Sequence, residues 1–516
     1  MKRKRILTQY LLYFLMLMFL LVGGCSSGGD DDDDAAPAVD YWITVSGTVT
    51  TAGGTPVSGV MMQTMYQLEL LNVNLWQGSI NSDLFNWIMT DSNGNYSITL
   101  PAGLLESYTL VIRPVKKSYT FTPANRVLTI AGVDQTGVNF TATQADEFSQ
   151  SDLTGIWRVK MLRAGTENQW LRSRISVAAN GDADCLSYET SASAGDTTCP
   201  ADFELTLTMG TGDNDGVITQ SGAYAAGTNH MTMNSDKDFA AGTGTSGTSY
   251  QIVIAQKDEV PIGAQTSQYI GSELNSRNFV FHSLRAGGTN EWRYGAGATT
   301  STSTIAMATE STPTAPLGTA AMSLDGYTFA VDVNGVVTIA DAIGAPNNFE
   351  GFLSIDERTI VGNFTDATGD LQMIVIQLID NQTASSMTGT SVNHLLAVAD
   401  GETPVWAYHD VNISRFETSF LPDILGLTFA LDMMLSYNWE LSLGYTPLQK
   451  LGLIDLERIN ITANGRATIE DPASTAATPL SPLFHGQLAF DGTFMVGVET
   501  ITLDGNPFFA LDVITH

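Results

Sequence analysis

The chain has 516 residues, enough for two to four domains. Charged residues make up only 15%, yet Asp and Glu outnumber Lys and Arg by 54 to 23, giving a formal net charge of −31. That balance excludes a nucleic-acid partner, since a basic footprint is needed to displace counterions, and it suits a soluble surface outside the cytoplasm.

At the N-terminus, Lys2, Arg3, Lys4 and Arg5 precede an apolar run from Ile6 to Val22 broken only by Thr8 and Gln9. A basic flank, a short apolar stretch and small residues before a break describe a secretory signal. The run is at the short end of what spans a bilayer permanently. The next residues, Val22-Gly23-Gly24-Cys25, resemble the lipobox of bacterial lipoproteins. Gly23 stands at the second lipobox position, where Ala or Ser is more usual, a departure from the common pattern. The resemblance implies removal of residues 1–24 and lipidation of the Cys25 thiol, with palmitate-like acyl chains. Several buried acyl chains at ~0.8 kcal/mol per CH₂ then anchor the chain without a spanning helix. Ser26, rather than Asp, implies sorting to a bacterial outer membrane, facing either the periplasm or the exterior. Loss of the four basic residues lowers the net charge from −31 to −35.

Residues 25–40 carry Gly, Ser and the run Asp30 to Asp34. Such a segment buries no apolar surface and its like charges repel, so it serves as an acidic, flexible tether. Consecutive aspartates lack the alternating ligand geometry and glycine turn of a calcium loop.

From Tyr41 the pattern changes to short alternating runs punctuated by Gly, Asn and Pro, which predicts a small β-sandwich over 41–145. The pieces "VSGTVT", "GGTPVSGV", "TDSNGNYSITLPAG" and "YTFTPANRVLTIAGVDQTGVNFTAT" together resemble the carboxypeptidase-regulatory-like, prealbumin-type sandwich of bacterial surface proteins. The stretch from Met61 to Met89, with Trp76 and Trp87, is longer and more apolar than that pattern. The resemblance implies a stalk or binding accessory rather than a catalyst, and no histidine lies in the segment.

The remainder repeats itself. Leu162-Arg-Ala-Gly-Thr-Glu-Asn-Gln-Trp170 is echoed by Leu284 to Trp292 and, more weakly, by Leu396 to Trp406. A second marker is an Asn-Gly turn at Asn180-Gly181, Asn334-Gly335 and Asn464-Gly465, where both central residues are expected at positive φ. A third runs from an aspartate to a glycine six residues on: Asp236 to Gly242, Asp356 to Gly362, Asp491 to Gly497. Preserved hairpins with variable gaps predict three β-repeats at 152–277, 278–388 and 389–516. About eight strand-like runs per repeat fit either of two all-β architectures. The preferred one is a β-propeller-like assembly of four-stranded blades, and the alternative is tandem small β-barrels. Leu421 to Leu451 is expected to hold a short helix in place of a strand.

Cys185 and Cys199 flank a small polar loop and are expected to form a disulfide, worth ~3 kcal/mol in the chain-entropy model. The six histidines, His230, His282, His394, His409, His485 and His516, make no metal-ligand pair with a carboxylate. His282 and His394 lie ten and twelve residues before their tryptophans, so their positions are not expected to coincide. No nucleophile elbow, Walker loop or zinc-helix signature occurs, and no cofactor or metal is expected. Asp213-Asn214-Asp215-Gly216 is a faint calcium-like loop without the remaining ligands. Asp236, Asp356 and Asp491 are accounted for by turn formation. Trp170, Trp292 and Trp406 are the candidate ligand-stacking residues, with a core wedge as the competing role. These readings describe a non-enzymatic lipoprotein, tied to the membrane through Cys25, that acts as a binding or structural module with a polysaccharide or envelope protein partner. The alternative is a glycan hydrolase using a carboxylate pair in the repeats.

Overall fold

The alternating runs after position 41 become strands because β-branched and aromatic side chains pack on a pleated, half-buried surface while Gly and Asn take the turns. A computed structural model describes residues 42–68, 73–77, 88–101, 108–129, 133–222, 228–258, 269–315, 318–320, 323–340, 346–380, 389–420, 427–441, 455–462, 464–469, 484–503 and 506–516. The signal and tether, with Cys25 and Asp30 to Asp34, lie outside the described residues, as does Trp87.

The first strands are β1 (Trp42–Thr51), β2 (Met61–Leu68), β3 (Val73–Gln77), β4 (Asn95–Pro101), β5 (Tyr108–Val115), β6 (Tyr119–Thr122), β7 (Arg126–Thr129) and β8 (Phe140–Gln144). They form two four-stranded sheets, in the orders β4-β1-β8-β6 and β3-β2-β5-β7. Ile43, Val45, Val49, Ile98, Leu110, Ile112 and Phe140 fill the space between them. Asp91 makes the turn before β4 by accepting from the backbone N–H groups of Asn93 and Asn95, each at 2.8 Å. Gly94, at φ 72°, has no room for a Cβ, which would lie 2.4 Å from the Val49 carbonyl oxygen.

The first repeat contains β9 (Gly155–Gly165), β10 (Gln169–Val177), β11 (Asp182–Thr190), β12 (Leu205–Met209), β13 (Val217–Ser221), β14 (Thr228–Met233), β15 (Phe239–Ser246) and β16 (Ser249–Asp258). The second contains β17 (Asn278–Ala286), β18 (Glu291–Thr299), β19 (Ile305–Ser311), β20 (Thr328–Val331), β21 (Val336–Ala340), β22 (Pro346–Leu353), β23 (Thr359–Thr365) and β24 (Leu371–Leu378). The third contains β25 (Gly389–Val398), β26 (Val405–Phe420), β27 (Leu427–Leu441), β28 (Asp455–Ile461), β29 (Arg466–Ile469), β30 (Phe484–Leu488), β31 (Phe494–Leu503) and β32 (Asn506–Thr515).

Repeats one and three are closed antiparallel barrels, and repeat two is an eight-stranded sheet in the order β19-β18-β17-β24-β23-β22-β21-β20. Its ends meet at a single bridge, Thr304 to Thr328. The propeller is therefore the wrong one of the two architectures. In each repeat the first strand pairs with the eighth, as in Leu162 with Ile252, Leu284 with Met373 and Leu396 with Leu511. Pairing of the first strand with the eighth makes each repeat one eight-stranded sheet, and among the described residues of the repeats no separate four-stranded blade occurs. Residues 427–441, within the expected helix, are strand β27, hydrogen-bonded along most of β26; the rest of Leu421 to Leu451 lies outside the described residues.

The barrels also share a core built from their outer faces. Leu162, Trp170 and Ile254 of the first, Leu284, Trp292 and Val375 of the second, and Leu396, Val496 and Val513 of the third belong to one buried cluster. Strands buried on both faces lose the two-residue alternation, so β24 reads Leu-Gln-Met-Ile-Val-Ile-Gln-Leu and is buried throughout.

The markers have separate physical origins. Gly242, Gly362 and Gly497 sit where a Cβ would fall 2.2 to 2.4 Å from Met231, Phe349 and Phe484, the inward side chains of the preceding strand. The Asn-Gly marker is not equivalent in all copies. Gly335 and Gly465 lie between the fourth and fifth strands of their repeats, but Gly181 lies between the second and third. In these turns only the glycine has positive φ, at 91°, 76° and 78°, so the expectation of positive φ at both central residues fails. The Gly181 and Gly335 N–H groups donate back to Ala178 and Asp332, which makes a type I turn with a glycine bulge.

Candidate functional site: an apolar barrel interior and three polar seams

Alternation along β9 points Trp157, Val159, Met161 and Arg163 into the first barrel and Lys160, Leu162 and Ala164 outward. The outward residues are buried against the other barrels, while Val159, Met161 and Arg163 remain half-exposed although they face inward. Water therefore reaches this interior. A cavity of about 120 Å³ lies there, lined by Trp157, Leu207, Ile218, Met231 and Val253 deep inside and by Arg163, Tyr188, Phe203 and Gln220 among the half-exposed residues. Phe148 and Leu153, from the segment that enters β9, pack with Trp157 and Met233 in the same core.

The described interior residues of the other two barrels form packed clusters. Phe279, Phe281, Phe329 and Phe349 occupy the second together with Tyr269. In the third, Ile413, Phe484, Met495 and Ile514 pack together, and Asn393 donates to the Asp512 carboxylate at 2.8 Å beside His409.

Cys185 and Cys199 are bonded, with an S–S distance of 2.01 Å. The bridge ties β11 to the connection that leads into β12; Tyr188 lies within the loop it closes and Phe203 just beyond it, and both line the cavity.

The three tryptophans are not on the surface. Trp170 is fully buried and Trp292 and Trp406 are 3% exposed, so no sugar ring can stack on them. Each indole N–H donates to a threonine of the next barrel: Trp170 to Thr365 at 2.9 Å, Trp292 to Thr500 at 2.8 Å, Trp406 to Thr245 at 2.7 Å. All three threonines lie on the seventh strand of their repeat, so the contacts run head to tail around a ring.

Beside each tryptophan the seam is polar. Ladder register pairs Lys160 with Arg172, His282 with Tyr294 and His394 with Tyr408. The two histidines are therefore equivalent, contrary to the expectation from their spacing, because the two extra residues are absorbed in the loop between the paired strands. Across the first seam Lys160 binds Glu350 at 2.8 Å, and the Arg172 Nε donates to Asn363 at 2.6 Å. Across the second, Tyr294 stacks on His485 with ring centroids 5.0 Å apart. Across the third, Tyr408 stacks on His230 at 5.0 Å, and His394 Nε2 lies 2.7 Å from Thr232 Oγ1. Burial holds His282 near pKa 3 and His485 near 4, so both are neutral; burial also depresses the Lys160 ammonium to about 8 despite Glu350.

Asp236, Asp356 and Asp491 occupy equivalent turns, and their charges meet where the barrels converge. Burial first, then Asp491, raises the carboxyl pKa of Asp236. Asp491 also makes its own turn by accepting from the Thr493 N–H at 2.9 Å. Among the described residues no group of His, Cys, Asp and Glu has metal-binding geometry. The calcium-like loop is occupied by protein donors: Asp215 accepts from Ser118 at 2.8 Å and from the Glu147 N–H at 2.7 Å, while Asp213 pairs with Lys116 at 2.9 Å.

No family model matches the chain, and no curated protein matches it. Among solved structures it is similar to a protein of unknown function from the DUF3598 family of Nostoc punctiforme, at 8% identity over 72% of this chain and 98% of that one, with a TM-score of 0.16. It is similar also to a double mutant of transferrin binding protein B from Haemophilus parasuis, at 9% identity over 95% and 97% of the two chains, with a TM-score of 0.18. The isotype 1 transferrin binding protein B of Neisseria meningitidis gives 8% identity, 91% and 78% coverage and a TM-score of 0.17. TM-scores this low establish no common fold.

Proposed function

We propose that this chain is a lipid-anchored module of the bacterial envelope that binds a small apolar molecule in its first barrel and does no covalent chemistry on it. The observation that carries the binding role is the apolar, solvent-reachable cavity of about 120 Å³ inside the first barrel, where the second barrel holds a cluster of packed phenylalanines. An apolar cavity of ~150 Å³ is large enough to admit benzene or xenon, so the size is that of a small ring or short alkyl group. The anchor is supported by the basic flank, the apolar run and the lipobox-like residues ending at Cys25.

Two measurements test the reading. Labelled palmitate is expected in the wild-type protein and absent from Cys25→Ser; incorporation into the variant, or none into the wild type, defeats the anchor. Benzene is expected to raise the melting temperature of the wild type but not of Ala240→Phe, in which a ring fills the cavity. No shift in the wild type defeats the binding role.

A further inference from the structure

Arg163 contributes the cationic group among the cavity-lining residues. Its position is one of three equivalent inward sites in the first strand of each repeat: Arg163, Arg285 and Ala397, next to the outward Leu162, Leu284 and Leu396 respectively. The two arginines have different surroundings. Arg285 is surrounded by carboxylates, with Asp370 at 2.6 Å, Asp366 at 2.9 Å and Glu291 at 3.3 Å. Arg163 has a neutral partner, the Gln251 side-chain oxygen, at 3.3 Å from Nη2 and 3.4 Å from Nε. Among the described residues its one carboxylate contact is Glu167 at 3.8 Å, on a side chain 77% exposed, where the attraction is weak and screened. The second barrel thus neutralises the arginine at the end of its filled core, and the first barrel leaves it beside an empty one.

A guanidinium in a partly desolvated, apolar setting favours an anionic oxygen pair, which it can meet with two parallel N–H donors. Tyr188 and Gln220 also line the cavity, where the Gln220 amide donates to Met231 Sδ at 2.8 Å. We infer that the ligand is a short single-chain amphiphile with a carboxylate head, its alkyl tail in the cavity among Trp157, Ile218, Met231 and Val253 and its head on Arg163. The inference rests on the binding role proposed above and specifies its ligand class. The acidic surface opposes anions at long range, but that field is screened within ~10 Å at 0.1 M salt, leaving selection to the contact itself.

The test compares hexanoate, hexanol and hexylamine as probes, by calorimetry on the full-length folded body. Hexanoate is expected to bind at least fivefold more tightly than hexanol, and hexylamine more weakly than either. Arg163→Gln is expected to remove the preference for hexanoate over hexanol. Glu167→Gln, which frees the guanidinium from the Glu167 carboxylate, is expected to strengthen hexanoate binding about twofold, a gain that misfolding cannot produce. Equal affinities for hexanoate and hexanol, or a preference that survives in Arg163→Gln, overturn the inference while leaving the apolar cavity standing. If no probe binds and benzene also fails, the binding role itself falls.

Discussion

The Trp406 indole N–H donates to Thr245 Oγ1 at 2.7 Å, so the third barrel is tied back to the first and the chain of tryptophan–threonine bonds closes on itself. A buried hydrogen bond of this kind contributes ~1 kcal/mol, and the buried indole adds its apolar surface. Trp406→Phe and Thr245→Val are each expected to lower the urea midpoint. A double-mutant cycle should give a coupling of ~1 kcal/mol. Trp406→Ala should cost ~3–5 kcal/mol, because it leaves a void at the junction of two barrels.

The seam between the first and second barrels relies on charge where the other two use imidazole and phenol rings. Lys160 is 3% exposed and its ammonium lies 2.8 Å from Glu350. Removing one partner of a buried pair leaves an uncompensated charge, at ~3–5 kcal/mol, whereas replacing both with apolar groups of similar size is often neutral. Lys160→Met alone is therefore expected to be strongly destabilising, and Lys160→Met with Glu350→Met to recover most of the loss. Guanidinium unfolding of the two variants and the wild type measures both numbers. A double variant no better than the single one would show that the pair is held by the Arg172 network rather than by its own charges.

Much of this organisation is legible in the sequence, but not all for the same reason. The tryptophan and Asp-to-Gly markers are structurally equivalent, because each reports a contact repeated in every barrel: an indole in a seam, and a glycine under an inward ring. The Asn-Gly marker misleads for the first copy, since any tight hairpin selects it wherever the hairpin falls. His282 and His394 look unrelated by counting to the tryptophan, but ladder register makes them equivalent once the loop between absorbs the difference. The choice between blades and barrels depends on pairing of the first strand with the eighth, about 90 residues away in chain order, as in Leu162 with Ile252. No local pattern encodes that pairing, and burial on both faces erases the alternation that would separate inside from outside. The cavity is invisible for a related reason. Trp157, Val159 and Met161 are as apolar as the residues of a filled barrel, and only their packing leaves space.

The buried histidines make stability depend on pH in the mildly acidic range. Burial depresses the pKa of His282 to about 3 and of His485 to about 4, with Arg466 adding to both, and burial holds His409 near 3. Each folded-state pKa lies below the unfolded value of ~6.5, so the unfolded chain takes up protons first. The stabilisation is complete above pH ~6.5 and is lost as pH falls toward the folded values, at up to ~1.4 kcal/mol per pH unit for each histidine. Urea midpoints measured from pH 7.5 to 4.5 should fall steadily below 6.5. His485→Phe, which keeps a ring against Tyr294, should make that decline shallower; an unchanged slope would remove His485 from the titrating set.

The aspartates at the convergence of the barrels act in the opposite sense. Burial, followed by the charge of Asp491, raises the carboxyl pKa of Asp236; burial foremost also raises Asp238 and Asp356. A raised acid favours the protonated form in the folded state, so these charges oppose folding at neutral pH, and the penalty is relieved as pH falls through the raised values. Asp236→Asn keeps the side-chain shape of the turn and removes one charge facing Asp491 and Asp356. Because Asp236 is largely open to solvent and screened, the expected gain is modest, a few tenths to ~1 kcal/mol at pH 7. It should shrink as pH falls through the raised value of Asp236, and shrink also at 0.5 M salt, where repulsion is damped within ~5 Å. A gain that ignored both pH and salt would come from the amide itself, and the carboxylates would then not be repelling one another across the three barrels.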